Sequence, residues 1–492
     1  MTVSPHNCRF RRARREGRRP CVLAVCLALV IAACSHTPEQ PVSIGIGPNP
    51  QLPPPNKQIL PTVHIAPAKG WPKRATPRPA QGTTVAAFAA RLDHPRWLYV
   101  LPNGDVLVAE TNAPARPLRR ELLGFRGWIM GYVMKRAGAA VPSANRLTLL
   151  RDLDGDGEAE TRSVFIENLN SPFGMALVGN DLYIAQTDAL VRVSYQTGDT
   201  RAGTVTKVAD LPGGPLNHHW TKGLIANAEG TKLYVSVGSN SNIAEHGMQH
   251  EKGRASIWEF ETESGQGRVF ASGLRNPVGM AWHGNALWVA VNERDELGPN
   301  LVPDYITSVR DGGFYGWPYS YYGQHVDERV APQAPDLVAK AIVPDYALGA
   351  HTASLGLASA ERSSLGGAFT QSGMFVAQHG SWNRIPASGY KVIFVPFTDA
   401  QPSGLPVEVL GGFLSDDGDA FGRPVGVAID HRGGLLVADD VGNTIWRVTA
   451  ASGIATRNRV VRAPREKNNS ILHGRQRRLD RKPHLYFSSA VI

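Results

Sequence analysis

The chain has 492 residues, 42% of them hydrophobic and 19% charged, which excludes a wholly disordered protein and supplies ample material for a core. Its formal net charge of +10 looks like a nucleic-acid signature until it is partitioned: residues 1–33 carry +6 and residues 451–492 carry +8, so the body between them stands at −4 and offers no phosphate-binding surface. All four cysteines, Cys8, Cys21, Cys26 and Cys34, lie at the N-terminal end, so no disulfide can staple the body.

Arg9 to Arg19 form a basic stretch and Cys21 to Ala33 an apolar run. That run is too short to span a bilayer and has the anatomy of a signal peptide over residues 1–33. The ending Ile31-Ala32-Ala33-Cys34 resembles the lipobox of bacterial lipoproteins, which implies acylation of Cys34 and anchoring by lipid alone. Ser35 behind it points, by the same resemblance, to the outer membrane and the periplasm; an ordinary secretory signal is the alternative. Residues 34–83 are rich in proline, as in Pro50-Gln-Leu-Pro-Pro-Pro55, and read as an extended tether that holds the body off the membrane.

From residue 84 to 450 a pattern recurs six times, a short turn followed by an apolar strand: Gly104-DVLVAET, Asn180-DLYIAQT, Thr231-KLYVSVG, Asn285-ALWVAVN, Ser372-GMFVAQH and Gly433-GLLVADD. Several copies follow a second apolar strand, as in Pro172-FGMALV, Pro277-VGMAW and Pro424-VGVAI. Two strands plus a variable outer pair is the signature of a propeller blade, so the fold expected is all-β, a six-bladed β-propeller. The stretch Trp128-IMGYVMKRAGAA reads as a helical insertion on one face, and residues 451–492 as a basic, disordered tail.

Two metal sites are candidates. Asp152, Asp154 and Asp156, with Gly157 behind them, reproduce the front of a calcium-binding loop, but Ser163 stands where the bidentate Glu would be required, so a structural Ca²⁺ turn is expected and an unoccupied acidic turn is the alternative. Zinc is poorly supported: beyond Cys34 there is no cysteine, and the pair His246 and His250 has Gly247 where a metallopeptidase helix carries Glu.

Equivalent positions in a propeller lie at equivalent radii, so the two residues before each inner strand should ring the central channel. They are Asp93-His94, Asn170-Ser171, His219-Trp220, Arg275-Asn276, Thr352-Ala353 and Gly422-Arg423. Two His, two Arg, two Asn and one Asp around one axis suit an anionic or polyoxygenated small molecule, because Arg pairs bidentately with carboxylates.

At this column the chain resembles the quinoprotein sugar dehydrogenases, six-bladed propellers that use pyrroloquinoline quinone (PQQ), and within them the L-sorbosone dehydrogenase-like branch. The resemblance runs over roughly residues 45–450 and is carried by Gly273-LRNPVGMAW, Asn292-ERDELGPNLVPDY, Gly312-GFYGWPYSYYG, Ala350-HTASLGL, His379-GSWNRIPASGYK and Gly422-RPVGVA. It implies an oxidoreductase that moves hydride from a sugar or sugar-derived aldehyde to PQQ, with Ca²⁺ polarising the quinone. It implies His219 as general base, Arg275 and Asn276 at the reactive quinone oxygen, and Arg423 with Arg384 at the cofactor's carboxylates. The loop Glu293 to Asp304, through Asp295, Gly298 and Pro299, matches the region that supplies Ca²⁺ ligands. Two departures stand out: near Phe421 a second Arg of the carboxylate clamp is missing, and His218 stands where relatives carry an Asp that orients the base, so His219 is expected to titrate near the ordinary value of about 6.5.

A Ca²⁺-dependent lactonase and a non-catalytic propeller that binds glycans or partners are the competing readings. The basic residues separate the first from the dehydrogenase, since a lactonase needs axial carboxylates and has little use for Arg275, Arg384 and Arg423. Trp317, Tyr319, Tyr321 and Tyr322 would suit sugar stacking or blade packing alike. A quinone or a cytochrome is the class of electron acceptor that such a dehydrogenase would use.

Overall fold

Strand pairing follows the repeat. The computed structural model describes residues 41–56, 64–114 and 135–451, and in it six antiparallel sheets, each built on four strands and two of them extended at an edge, succeed one another along the chain. Blade 1 is built from Pro95–Val100, Val106–Glu110, Arg146–Arg151 and Thr161–Ile166, and blade 2 from Met175–Val178, Asp181–Ala185, Ala189–Ser194 and Thr206–Asp210. Blade 3 holds Leu224–Ala226, Lys232–Val237, Ser256–Glu261 and Gly267–Ser272; blade 4 holds Pro277–His283, Ala286–Val291, Pro303–Ser308 and Tyr346–Ala350. Blade 5 takes Ser354–Ser359, Gly373–Gln378, Lys391–Thr398 and Val407–Gly411. Blade 6 joins Pro424–Ile429, Leu435–Asp439 and Thr444–Ala450 to Thr83–Ala90, whose pairing with Thr444–Ala450 closes the ring between the two ends of the repeat region.

All six repeated motifs are second strands. Val106–Glu110, Gly373–Gln378 and Leu435–Asp439 are buried along their whole length, because both faces are covered by neighbouring blades, and a strand with two buried faces must be apolar throughout rather than alternating. The core is accordingly a set of inter-blade layers, such as Tyr183, Leu233 and Val235 between blades 2 and 3 and Trp288, Val376 and Phe397 between blades 4 and 5.

A second column explains how closely the inner strands approach. Gly174, Gly223, Gly279, Gly356 and Gly426 each face the backbone of the next blade's inner strand, so that a Cβ would come within 3.0 Å of Leu224, Val278, Leu355, Val425 and Arg96 respectively. In blade 1 Trp97 takes the glycine's place and stacks on Phe173 of blade 2, with ring centroids 4.6 Å apart. The wider side chain is accommodated there because it becomes part of the core.

The Pro-rich segment does not stand clear of the body. Ile46–Gly47 adds a fifth strand to blade 4 opposite Leu348 and Ala347, and Arg78–Pro79 pairs with Gly411 and Leu410 on blade 5. Between them Trp71 packs edge-on against Phe413 and Trp446 and donates its indole N–H to Asp439 at 2.6 Å. Proline suits such edge strands because the donor it lacks would have no partner there. Of the helical insertion expected at Trp128–Ala140, positions 128–134 lie outside the described residues, 135 and 136 are helical and 137–140 form turns. The leader segment, Cys34 and all but the first residue of the basic tail also lie outside them.

Candidate active site

His219 stands at the mouth of blade 3, before its inner strand. Its Nδ1 lies 2.8 Å from the backbone oxygen of Ser239 and 3.1 Å from Ser239 Oγ, while that hydroxyl donates to the Ser241 carbonyl at 2.7 Å. Both neighbours therefore accept, so Nδ1 carries the hydrogen and the lone pair is on Nε2. Burial, followed by the charges of Arg275 and His218, lowers the His219 pKa well below 6.5. The imidazole is neutral at neutral pH and lies below the expected value near 6.5, because burial and the neighbouring cations outweigh the hydrogen bond to Ser239 that fixes the ring. His218 is exposed, its ring edge-on to that of His219 at 4.7 Å.

Gly238 lets blades 3 and 4 converge. A Cβ on it would come within 3.0 Å of both Asn276 Oδ1 and the His219 Cβ, so the absence of a side chain brings base and amide together. Asn276 Oδ1 and Arg275 Nε are buried without a hydrogen-bond partner. Buried polar atoms are nearly always paired, so both point to a ligand's polar groups.

Arg275 is held rigidly from behind. Its Nη1 donates to the Glu293 carbonyl at 2.7 Å and its Nη2 to Asn242 Oδ1 at 3.0 Å and to Asp295 Oδ2 at 3.4 Å. Asp295 also accepts from Asn383 Nδ2 at 2.9 Å and faces His351 Nδ1 at 3.3 Å. Burial pushes this carboxyl up, but the His351 hydrogen bond and the Arg275 charge outweigh it, and Asp295 ends below its ordinary value. Asp295, expected among the Ca²⁺ ligands, thus anchors the guanidinium. Ser239, Asn242, His351 and Asn383 were not singled out by sequence, although the last two sit inside the motifs Ala350-HTASLGL and His379-GSWNRIP.

The rest of the Glu293–Asp304 loop is similarly engaged. Asp304 Oδ1 accepts from the amides of Glu293 and Asn292 at 2.9 and 3.2 Å, and Oδ2 from Thr352 Oγ1 and Ser354 N at 2.9 and 2.7 Å. A carboxylate has about four lone-pair sites, and all four are filled, so Asp304 staples blade 4 to blade 5. Burial raises its pKa to about 6. Glu293 accepts from its neighbour Arg294, the Gly298 carbonyl faces His351 Nε2 at 3.0 Å, and Arg384 donates to the carbonyl of Pro299 and to Asn300 Oδ1, the latter at 2.9 Å. Arg384 lies at a small cleft against Pro41, Ile44 and Pro53 of the N-terminal segment.

On the far side of the channel Arg423 lies over the Tyr390 ring, 4.8 Å from its centroid, and donates to the Ala66 carbonyl at 3.1 Å, with its Nε unpaired. Beside it Asp440 accepts from Arg96 Nη1 at 2.8 Å and from His379 Nε2 at 2.9 Å. Burial pushes His379 down to about 4. It also pushes Asp440 up, but the neighbouring His379, His94 and Arg96 more than offset this and hold the carboxyl far below the usual range.

Trp317, Tyr321 and Tyr322 are buried in blade 4, with Trp317 donating to the Asn242 carbonyl at 2.9 Å, so they pack rather than stack on a sugar. The second metal candidate is a real turn: ligand atoms of Asp152, Asp154, Asp156 and Glu160 lie within 4.8 Å of one another. Asp152 also accepts from the amides of Gly155 and Gly157 and faces Arg432 of blade 6 at 3.5 Å.

With this geometry in place, the chain matches the family model described as TrAA12-like over residues 144–304 and 336–451. A Borreliella burgdorferi protein without assigned function is 28% identical over 295 residues, 57% of this chain and 76% of that protein. The Coprinopsis cinerea PQQ-dependent pyranose dehydrogenase is 26% identical over 289 residues, 50% of this chain and 39% of the enzyme. The solved holo form of that enzyme's PQQ domain superposes with a TM-score of 0.61 at 21% identity, covering 78% of this chain and all of that domain. A calcium structure of a Trichoderma reesei protein of Carbohydrate-Active Enzymes Family AA12 also gives 0.61, at 17% identity over 80% of this chain and 100% of that one. At these identities the superpositions establish the six-bladed fold.

Proposed function

The chain belongs to the TrAA12-like family, and from that premise we propose that it is a quinoprotein dehydrogenase of the sorbosone-like branch, oxidising a sugar or a sugar-derived aldehyde with PQQ and Ca²⁺. The observation that carries this reading is the neutral His219, its Nε2 lone pair free, beside the unpaired Asn276 Oδ1 and Arg275 Nε. The Arg275 Nε–H, a donor, suits an oxygen of a planar quinone cofactor; Asn276 Oδ1, an acceptor, suits a hydroxyl of the substrate; and the unpaired Nε–H of Arg423 suits the cofactor's carboxylates. PQQ, when bound, supplies a two-electron acceptor that takes hydride from the substrate carbon.

The protein's part is to handle the proton and the charge. His219 Nε2 accepts the hydroxyl proton of the alcohol or hydrated aldehyde as hydride leaves the same carbon, and Ser239 holds the ring so that the lone pair keeps its direction. Arg275, pinned by Asn242, Asp295 and Glu293, presents fixed positive charge where negative charge develops, so no reorganisation is needed during the reaction. The all-oxygen donor set of the 293–304 loop suits Ca²⁺, for which the carbonyls of Gly298 and Pro299 each keep one lone pair.

Adding PQQ and Ca²⁺ to purified apoprotein tests the reading. Dye-linked oxidation of aldoses or aldehydes should require both, and equal activity with NAD⁺ alone or after exhaustive chelation would overturn it. The Cys34 segment adds a separate proposal, an acylated envelope protein. Cys34→Ser should then release the protein from membranes into the soluble fraction, and continued sedimentation of that variant would refute the anchor.

A further inference from the structure

The resemblance implies a carboxylate clamp with one cation more than this chain supplies near Phe421. Phe421 stands near the missing Arg and packs against Trp71, ring centroids 5.6 Å apart, where it offers no charge. With the Arg384 Nη1 turned onto Pro299 and Asn300, Arg423 is the one cation of the expected clamp left facing this side, a poor match for a cofactor that carries three carboxylates.

A second guanidinium reaches the same place from a different blade. Arg96 is the second residue of the inner strand of blade 1, and blade 1 follows blade 6 around the ring. Its side chain is only 13% exposed, its Nη1 is fixed on Asp440 at 2.8 Å, and Asp440 directly follows the carboxylate that accepts the Arg423 backbone amide at 2.8 Å. The guanidinium also lies 5.8 Å from the centroid of Trp220, the residue next to His219, which places it between the cation side and the base side of the channel. Arg96 Nε and Arg423 Nε are both buried and both without a partner.

We propose that Arg96 and Arg423 together form the carboxylate clamp for PQQ, with Arg96 taking the role vacated at Phe421 and Asp440 holding it in position. This rests on the quinoprotein reading above. Two buried guanidinium groups near one another are unfavourable without an anion between them, and Asp440 answers only one of them. Burial pushes the Arg96 guanidinium below its ordinary value, Asp440 opposes this, and the charge of Arg423 adds to it. A dianionic edge of the ligand, set against the two free Nε–H groups, would relieve that repulsion.

The test is direct titration of Ca²⁺-loaded apoprotein with PQQ and with its trimethyl ester, followed by quenching of tryptophan fluorescence, so that no turnover is needed. Wild type should prefer PQQ to the ester. Arg96→Gln should weaken PQQ binding by roughly 10- to 100-fold, the scale of one charged hydrogen-bonded contact, and leave ester binding nearly unchanged. Arg96→Lys keeps a charge for Asp440 and so guards against a folding defect; it should bind PQQ with intermediate affinity because the planar fork is lost. Wild-type PQQ affinity in both folded variants, or equal losses for PQQ and ester, would overturn the role of Arg96 while leaving the dehydrogenase reading intact. Failure of wild type to bind PQQ at all would overturn that reading and the clamp with it.

Discussion

Two arcs of the same channel mouth carry opposite chemistry. On the arc of blades 3 and 4, His219 is neutral, and the carboxylate that matters, Asp295, stands behind Arg275 rather than beside the imidazole. On the arc of blades 5, 6 and 1, Asp440 faces the channel cluster directly and draws Arg96 and His379 onto itself. The positions are equivalent by repeat, yet on the proposed reading one arc would move a proton and the other would hold charge. What separates them is the residue behind each column position: a hydroxyl and a carbonyl from Ser239 in one case, a buried carboxylate in the other.

The backbone shows the same division. His94, Ser171 and Ala353 enter their inner strands with positive φ angles of 54°, 45° and 51°, whereas Trp220, Asn276 and Arg423 do not. Blades 3, 4 and 6, which supply His219, the Arg275-Asn276 pair and Arg423, therefore approach the axis through a different turn from blades 1, 2 and 5. A left-handed residue costs on the order of 1 kcal/mol or more, so its use in three of six blades is a packing decision made outside the repeat pattern.

The comparison breaks most clearly at the base. His219→Gln should lower turnover by roughly 10²–10⁴-fold with PQQ affinity nearly unchanged, measured at saturating cofactor; near wild-type turnover would remove the proton-transfer role from that arc. The opposite pattern is expected across the channel. Arg423→Gln should weaken PQQ binding by roughly 10- to 100-fold while turnover of the loaded enzyme stays close to wild type, because a clamp contributes equally to ground and transition states. A variant that lost turnover and kept affinity would merge the two arcs.

The smallest effect concerns pH. A general base works only when deprotonated, and the lowered pKa of His219 keeps it so at neutral pH, so with His219 in that role the fall of turnover on acidification should come below pH 6.5. His218 is among the groups that lower it, so His218→Asn should move this limb upward toward 6.5 by a fraction of a unit. A limb at or above 6.5 in wild type, from a pH profile of turnover at saturating PQQ, would show that burial and the neighbouring charges do not act on the base as the geometry requires.

Much of the architecture is written in the order of residues. Six second strands are legible because each is buried on both faces and must be apolar throughout; the outer strands are not, since Thr206–Asp210 and Gly267–Ser272 are largely exposed and any polar sequence serves there. The column before the inner strands led to His219, Arg275, Asn276 and Arg423 because a repeat fixes radius. Tertiary packing alone decided the remainder. Prolines at 50–55 look the same in a free tether and in a belt, and only the open edges of blades 4 and 5 make the segment a belt. Asp304 and Arg384 carry the charges of a ligand site, yet Asp304 is filled by donors from blade 4 and from the entry to blade 5, and Arg384 turns its Nη1 onto Pro299 and Asn300. Conversely Arg96, unremarkable in the chain, meets Asp440 from the opposite end of the repeat, because ring closure makes neighbours of residues that sequence separates most widely.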